Sequence, residues 1–253
     1  MIKMLLLSSD NLKAYYVLSE GTVRAVNGVS MEIDHEVIYG LIGESGCGKS
    51  TLANVLMMRI IPPLKFMGGS LLLNGVDLFK ASDEYLRTRV WGKMVSMIPQ
   101  SALSALNPTE RVRDLIKYVL KTHNKELTDT EITEIARKRF EELNLPTDVL
   151  GFYPHELSGG MRQRVTIAIS TLLNPDLLIV DEPTSALDVS TQKVVLKLLK
   201  RLRDSKIVES ILFVTHDIAV LRQIADQIAV MYAGKIVEMG QMEQVMQDPK
   251  HPY

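Results

Sequence analysis

Apolar and polar residues alternate through residues 29–33, with Val29, Met31 and Ile33 on one side and Ser30 and Glu32 on the other. That period of two predicts a strand with one buried and one wet face. Residues 70–78 carry Asn74 and Gly75 between two apolar segments, the pair that supplies the positive φ angles of a tight hairpin turn. The first part of the chain therefore reads as antiparallel sheet. Residues 37–42, 177–180 and 211–214 differ: they are short, largely apolar runs, with helical patterns following or separating them. Such runs predict strands buried on both faces, as in a parallel sheet.

Between the last two runs, Val194, Val195, Leu198, Leu199 and Leu202 fall at helical spacing, and Lys193, Lys197, Lys200 and Arg201 are left for the wet side. A helix there is the crossover that parallel strands require. Residues 101–155 lack convincing strands and hold a charged helical segment at 128–143, with Ile132, Ile135, Ala136, Phe140 and Leu143 as its apolar side. The expectation is an α/β core formed by residues 1–100 and 156–253, with a helical lobe, residues 101–155, inserted into it.

Chemistry enters with GESGCGKS, Gly43, Glu44, Ser45, Gly46, Cys47, Gly48, Lys49 and Ser50, which matches the GxxxxGK[ST] pattern where a strand gives way to a helix. The glycines let successive N–H groups curl around a β-phosphate, Lys49 brings a cation to the β/γ oxygens, and the Ser50 hydroxyl suits Mg²⁺. Thr51 supports the same helix start. Cys47 reads as a small residue in a crowded loop. The run LLIVDEP places Asp181 and Glu182 directly after a buried strand, where ligand groups collect in parallel sheets. Asp181 is expected to bind Mg²⁺ directly or through water, and Glu182 to polarise an attacking water. Taken alone, an Asp-Glu pair after a strand can also cap a helix, the lesser of the two readings. His216 closes the next apolar strand, ILFVTHD, so one sheet edge would carry Gly43, Asp181 and His216 together.

A second anion site is written in LSGGMRQR. Ser158, Gly159 and Gly160 precede a helical pattern of Met161, Val165, Ile169 and Leu172, which leaves bare N–H groups and a hydroxyl at a helix N-terminus. Two phosphate-type sites in one chain need one explanation. With them, the chain resembles the ATP-binding subunits of ATP-binding-cassette (ABC) transporters, almost end to end, through SALSALNPTERV, YPHELSGGMRQRV, VDEPTSALDVSTQ, THDIAVL and MYAGKIVEMG. HELSGGMRQRV and ALNP are most similar to the importer branch serving oligopeptide and dipeptide uptake, and to the first of its two unlike ATPases.

The resemblance implies a P-loop NTPase (RecA-like) core with an antiparallel β subdomain and an inserted α-helical subdomain, acting on ATP with Mg²⁺. It implies that Ser158, Gly159 and Gly160 grip the nucleotide of a facing subunit, and that His216 touches the γ-phosphate. Gln100 would join the metal and water site to the lobe facing the membrane protein. Asp188, in the SALD loop at 185–188, would reach across the dimer, although it serves equally as a helix cap. Tyr16 matches the aromatic that stacks on adenine, with Tyr15 beside it as the competitor. Implied partners are a second ABC ATPase subunit, unlike or identical, two transmembrane permease subunits, and an external substrate-binding protein acting indirectly. The expected place is the cytoplasmic face of the cell membrane, as a peripheral subunit. Peptide is the first expectation for cargo, with nickel and oligosaccharides as neighbours in the branch. Two departures, His35–Glu36 in a turn and Pro99 before Gln100, lie outside the chemistry. DPKHPY resembles the point where this branch continues into an extension with an iron–sulfur site.

Composition narrows the field. With 29 basic and 30 acidic residues the formal charge is -1, so no broad positive field favours nucleic acid. A soluble clamp acting on DNA or ribosomes is the rival class, yet residues 51–156 lack the length and heptads of its coiled coil. A small-molecule kinase or GTPase would leave LSGGMRQR without a task. The single cysteine, Cys47, fits a reducing compartment. The 13 methionines are spread through apolar segments as core filler. No apolar run approaches the ~18–20 residues that cross a bilayer.

Overall fold

A computed structural model describes residues 5–100, 106–184 and 188–252. The chain opens with β1 (Leu7–Leu18), β2 (Gly21–Ile33), β3 (Ile38–Ile42), α1 (Lys49–Leu56), β4 (Leu64–Leu73) and β5 (Val76–Asp77). A helical turn, α2 (Asp83–Tyr85), precedes β6 (Val95–Ile98), after which come α3 (Val112–His123), α4 (Asp129–Glu142) and α5 (Gly159–Thr171). The chain then returns to the sheet through β7 (Leu177–Asp181), α6 (Val189–Asp204), β8 (Ser210–Thr215), α7 (Ile218–Leu221), β9 (Gln227–Tyr232), β10 (Lys235–Gln241) and α8 (Met242–Gln247).

Two sheets result. The antiparallel one runs β2-β1-β4-β5, and the larger runs β10-β9-β3-β8-β7-β6 with its first pair antiparallel and the rest parallel. Every residue of β3, β7 and β8 is buried, as their unbroken apolar runs require of strands covered on both faces. Alternate β8 residues enter different cores: Ile211 and Phe213 join the helical lobe, α5 and α6, whereas Leu212 and Val214 join α1 and the antiparallel sheet. The register Ile42↔Thr215 and Asp181↔Val214 brings the C-terminal ends of β3, β8 and β7 to one edge. The hairpin at Asn74 and Gly75 has φ 48 and 77, which matches a two-residue turn with both central residues left-handed.

The helical lobe follows from capping and periodicity. Thr128 caps α4 with the reciprocal Glu131 contact of a capping box, and Ile132, Ala136 and Phe140 pack with Val112, Ile116 and Leu120 of α3. Two expectations need correction. Val194 is 54 % exposed while Leu196 is 6 % exposed, so the buried stripe of α6 lies one step further round than the apolar spacing indicated. On α5, burial extends beyond the Met161–Val165–Ile169 face to Gln163 and Ile167, because α5 packs against α3, α4 and β6 at once. Among the described residues no helix is long and apolar enough to cross a membrane.

Candidate active site

The strand-to-helix turn between β3 and α1 is held so tightly that two of its positions exclude a side chain. A Cβ at Gly43 would sit 2.2 Å from the Met231 carbonyl oxygen, and one at Gly48, which caps α1 at φ 113, would sit 2.1 Å from that of Ala25. The loop is thus gripped between β9 and β2. Inside it, buried Lys49 donates through Nζ to the carbonyls of Gly43 at 2.7 Å and Glu44 at 2.9 Å, and Cys47 is buried beneath. Ser45, Gly46, Ser50 and Thr51 line a cleft of about 500 Å³ that also meets Gln100 and Glu182. Tyr16 lines the same cleft, its hydroxyl 3.2 Å from Thr51 Oγ1. Tyr15 instead donates its hydroxyl to Asn27 Oδ1 at 2.8 Å.

The two carboxylates at the end of β7 have different surroundings. Asp181 is 3 % exposed and its Oδ1 has no hydrogen-bond partner. Burial raises its pKa above the usual carboxylate range, against the opposing hydrogen bond from Ser50 and the charge of Lys49. A buried, unpartnered carboxylate oxygen beside a hydroxyl is the oxygen donor set that a hard divalent cation takes. Glu182 projects into the cleft from a left-handed backbone, φ 45, held there by its N–H donating to the Val214 carbonyl at 2.8 Å. Gln100 Nε2 donates to Glu182 Oε2 at 3.2 Å, and His216 Nδ1 stands 3.0 Å from Glu182 Oε1. Phosphate loop, paired carboxylates, glutamine and histidine therefore meet at one sheet edge.

Ser158 caps α5, its Oγ accepting from Met161 N–H at 3.3 Å. A Cβ at Gly159 or Gly160 would meet nothing within 4 Å. Neither glycine is required by the chain's own packing. Asp188 caps α6, and the hydroxyls of Ser190 and Thr191, with their backbone N–H groups, hold its pKa well below the usual range. The rest of the SALD loop, residues 185–187, lies outside the described residues.

One residue escaped sequence reasoning. Gln163 is 2 % exposed and donates through Nε2 to the Pro183 carbonyl at 2.5 Å, tying α5 to the residue after Glu182. Between two arginines it reads as solvated, and only the tight packing of α5 on three neighbours reverses that.

Similarity to known proteins agrees with this geometry. The family model described as ABC transporter matches residues 26–185. The chain is 40 % identical over 245 residues to the dipeptide transport ATP-binding protein DppD of Caldanaerobacter subterraneus subsp. tengcongensis, covering 96 % of this chain and 74 % of that protein. It is 42 % identical to the oligopeptide transport ATP-binding protein OppD of Bacillus subtilis, covering 98 % and 69 %. In fold it superimposes, with a TM-score of 0.81 at 24 % identity, on an ATP-binding cassette solved as a dimer in a post-hydrolysis state bound to ADP and Pi, covering 93 % of this chain and 98 % of that one. The chain belongs to the ABC transporter family, as an ATP-binding and ATP-hydrolysing subunit.

Proposed function

We propose that the chain powers uptake of dipeptides or oligopeptides by closing, with ATP, onto a second ATP-binding subunit, an unlike paralogue in the assembled transporter. The observation that carries this reading is the start of α5: Ser158, Gly159 and Gly160 leave helix N–H groups uncrowded by the chain itself, where an anion from a facing subunit is favoured. The printed names of similar proteins, dipeptide and oligopeptide transport ATP-binding proteins, support the cargo class. In the assembly the chain sits peripherally on the cytoplasmic face of the membrane against two permease subunits. Residues 101–155 form the lobe that meets them, and residues 1–100 and 156–253 form the nucleotide core.

Roles follow from the site. Gly43 to Thr51 wrap the phosphates, and Tyr16 stacks on the base. Ser50 and Asp181, with Gln100 close by, would hold Mg²⁺, which when bound neutralises phosphate charge. Glu182 accepts a proton from the attacking water, and His216 contacts the γ-phosphate while fixing the Glu182 carboxylate. Asp188 caps α6 and faces the partner.

Reconstitution with the permease pair and the second ATPase in vesicles tests the proposal. Dipeptide or oligopeptide uptake should require ATP and stop with Glu182→Gln, which should bind ATP and remain locked as a pair in light scattering. Uptake of nickel or an oligosaccharide instead would overturn the cargo assignment. Full-rate ATP hydrolysis by a dilute monomer would overturn the pairing.

A further inference from the structure

The edge of the parallel sheet opposite the phosphate loop holds a second cleft, of about 610 Å³, between α3 and α4 on one side and the turns entering β6, β7 and β8 on the other, where Lys93, Asn174 and Ile207 lie. Arg139 of α4 reaches into it. Its side chain is 8 % exposed, yet Nε and Nη1 make no hydrogen bond. Nη2 donates to Asn174 Oδ1 at 2.5 Å, and Nε stands 3.3 Å from Glu142 Oε2, so the guanidinium is anchored on two sides while Nη1 remains unused. Donors of a buried cation left unpaired are costly, because the water they gave up is not replaced. His123 Nδ1, on a residue lining the same cleft, is a third buried nitrogen without a hydrogen-bond partner.

Charge points the same way. Lys93, Lys138, Arg139 and Lys206 line the cleft, against Glu142 as the one carboxylate among the described residues. Lys206 is committed to Glu36 at 2.7 Å and Lys93 Nζ donates to the Thr88 carbonyl at 3.1 Å. Exposed Lys138, next to Arg139 in sequence, supplies charge at the mouth. Leu120 and Leu172 make apolar walls, so a charge–charge contact inside is screened less than one on the open surface. Ordered water alone would satisfy Arg139 Nη1, but it would not answer the surplus of positive charge.

We propose that this cleft is a binding site for a small oxyanion, a phosphate or carboxylate group that accepts from Arg139 Nη1 and is attracted by Lys138. It is separate from the nucleotide site, at the other end of strands whose length is roughly 15 Å. An occupant would bridge α4 to the turns feeding β6 and β7, the strands that lead to Gln100 and Asp181.

Calorimetric titration tests this, with Mg²⁺ and the non-hydrolysable analogue AMP-PNP saturating the phosphate loop so that added anion cannot bind there. Inorganic phosphate and malonate are titrated separately. One further equivalent of either should bind, and Arg139→Gln and Lys138→Glu should each weaken it about tenfold or more, the loss of one charge-assisted hydrogen bond or contact. Tighter phosphate would assign a phosphate group, and tighter malonate a carboxylate. Lys138→Glu changes an exposed position and keeps the test valid should Arg139→Gln fold poorly. No saturable binding of either anion, or binding unchanged in Lys138→Glu, would overturn the proposal.

Discussion

His216 Nδ1 lies 3.0 Å from Glu182 Oε1, the histidine side chain 52 % exposed and the glutamate 11 %. With Gln100 on the other oxygen, the carboxylate is held from two sides and its direction into the cleft is set before substrate arrives. Preorganisation of this kind is what proton transfer to a positioned base depends on. His216→Ala should therefore lower kcat about a hundredfold or more and leave the ATP Kd within a few-fold. Steady-state ATPase rates alongside equilibrium nucleotide binding check this, and an unaltered kcat would reduce the contact to packing.

Asp181 carries a charge in a place that disfavours it, burial raising its pKa and Oδ1 having no partner. Asp181→Asn should raise the Tm of the nucleotide-free protein by about 2–4 °C, on the order of 1 kcal/mol for a chain of this size, and abolish the Mg²⁺-dependent gain in ATP affinity. Thermal unfolding with and without Mg²⁺–ATP separates the two effects. A lower Tm in the nucleotide-free state would show that the carboxylate stabilises the fold.

Gly160 stands in the first turn of α5 with open space where a Cβ would project. Alanine is the better helix former by roughly 0.5–1 kcal/mol, so Gly160→Ala should leave the isolated chain at least as stable as before. On the pairing proposed above, a methyl there would block close approach of the facing subunit's phosphate, and ATP-driven association should fail. Scattering of the Glu182→Gln, Gly160→Ala double variant in ATP reads this, and a normal dimer would remove the reason for glycine at 160.

Burial, and then the Lys93 ammonium, push the His123 pKa down, with the Thr88 carbonyl partly opposing. The unfolded chain takes up a proton near about pH 6.5 that the native chain refuses. Above that pH the two states bind alike; as pH falls below it, stability declines until the lower native pKa is passed. Urea midpoints at about pH 7.5 and about pH 5.5 should differ less in His123→Gln than in the parent chain. An identical pH dependence in both would place the acid sensitivity elsewhere.

The parallel core was legible in sequence because strands covered on both faces carry few polar positions, and those at their ends, so the apolar runs inside β3, β7 and β8 stand out. Capping made α4 legible too, through Thr128 and Glu131. By contrast β1 and β2 are interrupted by register shifts near Ser9, Leu12 and Ala14, and each shift breaks the alternation a reader would follow. The spacing of Val112, Ile116 and Leu120 in α3 was present but sits among charges that obscure it. At the site, residue identities were readable from motif and strand context, whereas the φ of Glu182, the choice of Tyr16 over Tyr15 for the cleft and the buried amide of Gln163 arise from tertiary packing. No local pattern encodes them.

Glycine would occupy the φ of 45 at residue 182 without steric conflict, whereas a residue bearing a Cβ gives up roughly 1 kcal/mol there. The fold keeps a glutamate where a missing side chain would be more comfortable. On the role proposed for Glu182, resilience at this one position has been surrendered to reactivity, and any robustness an engineer recovers from it would come at the expense of turnover.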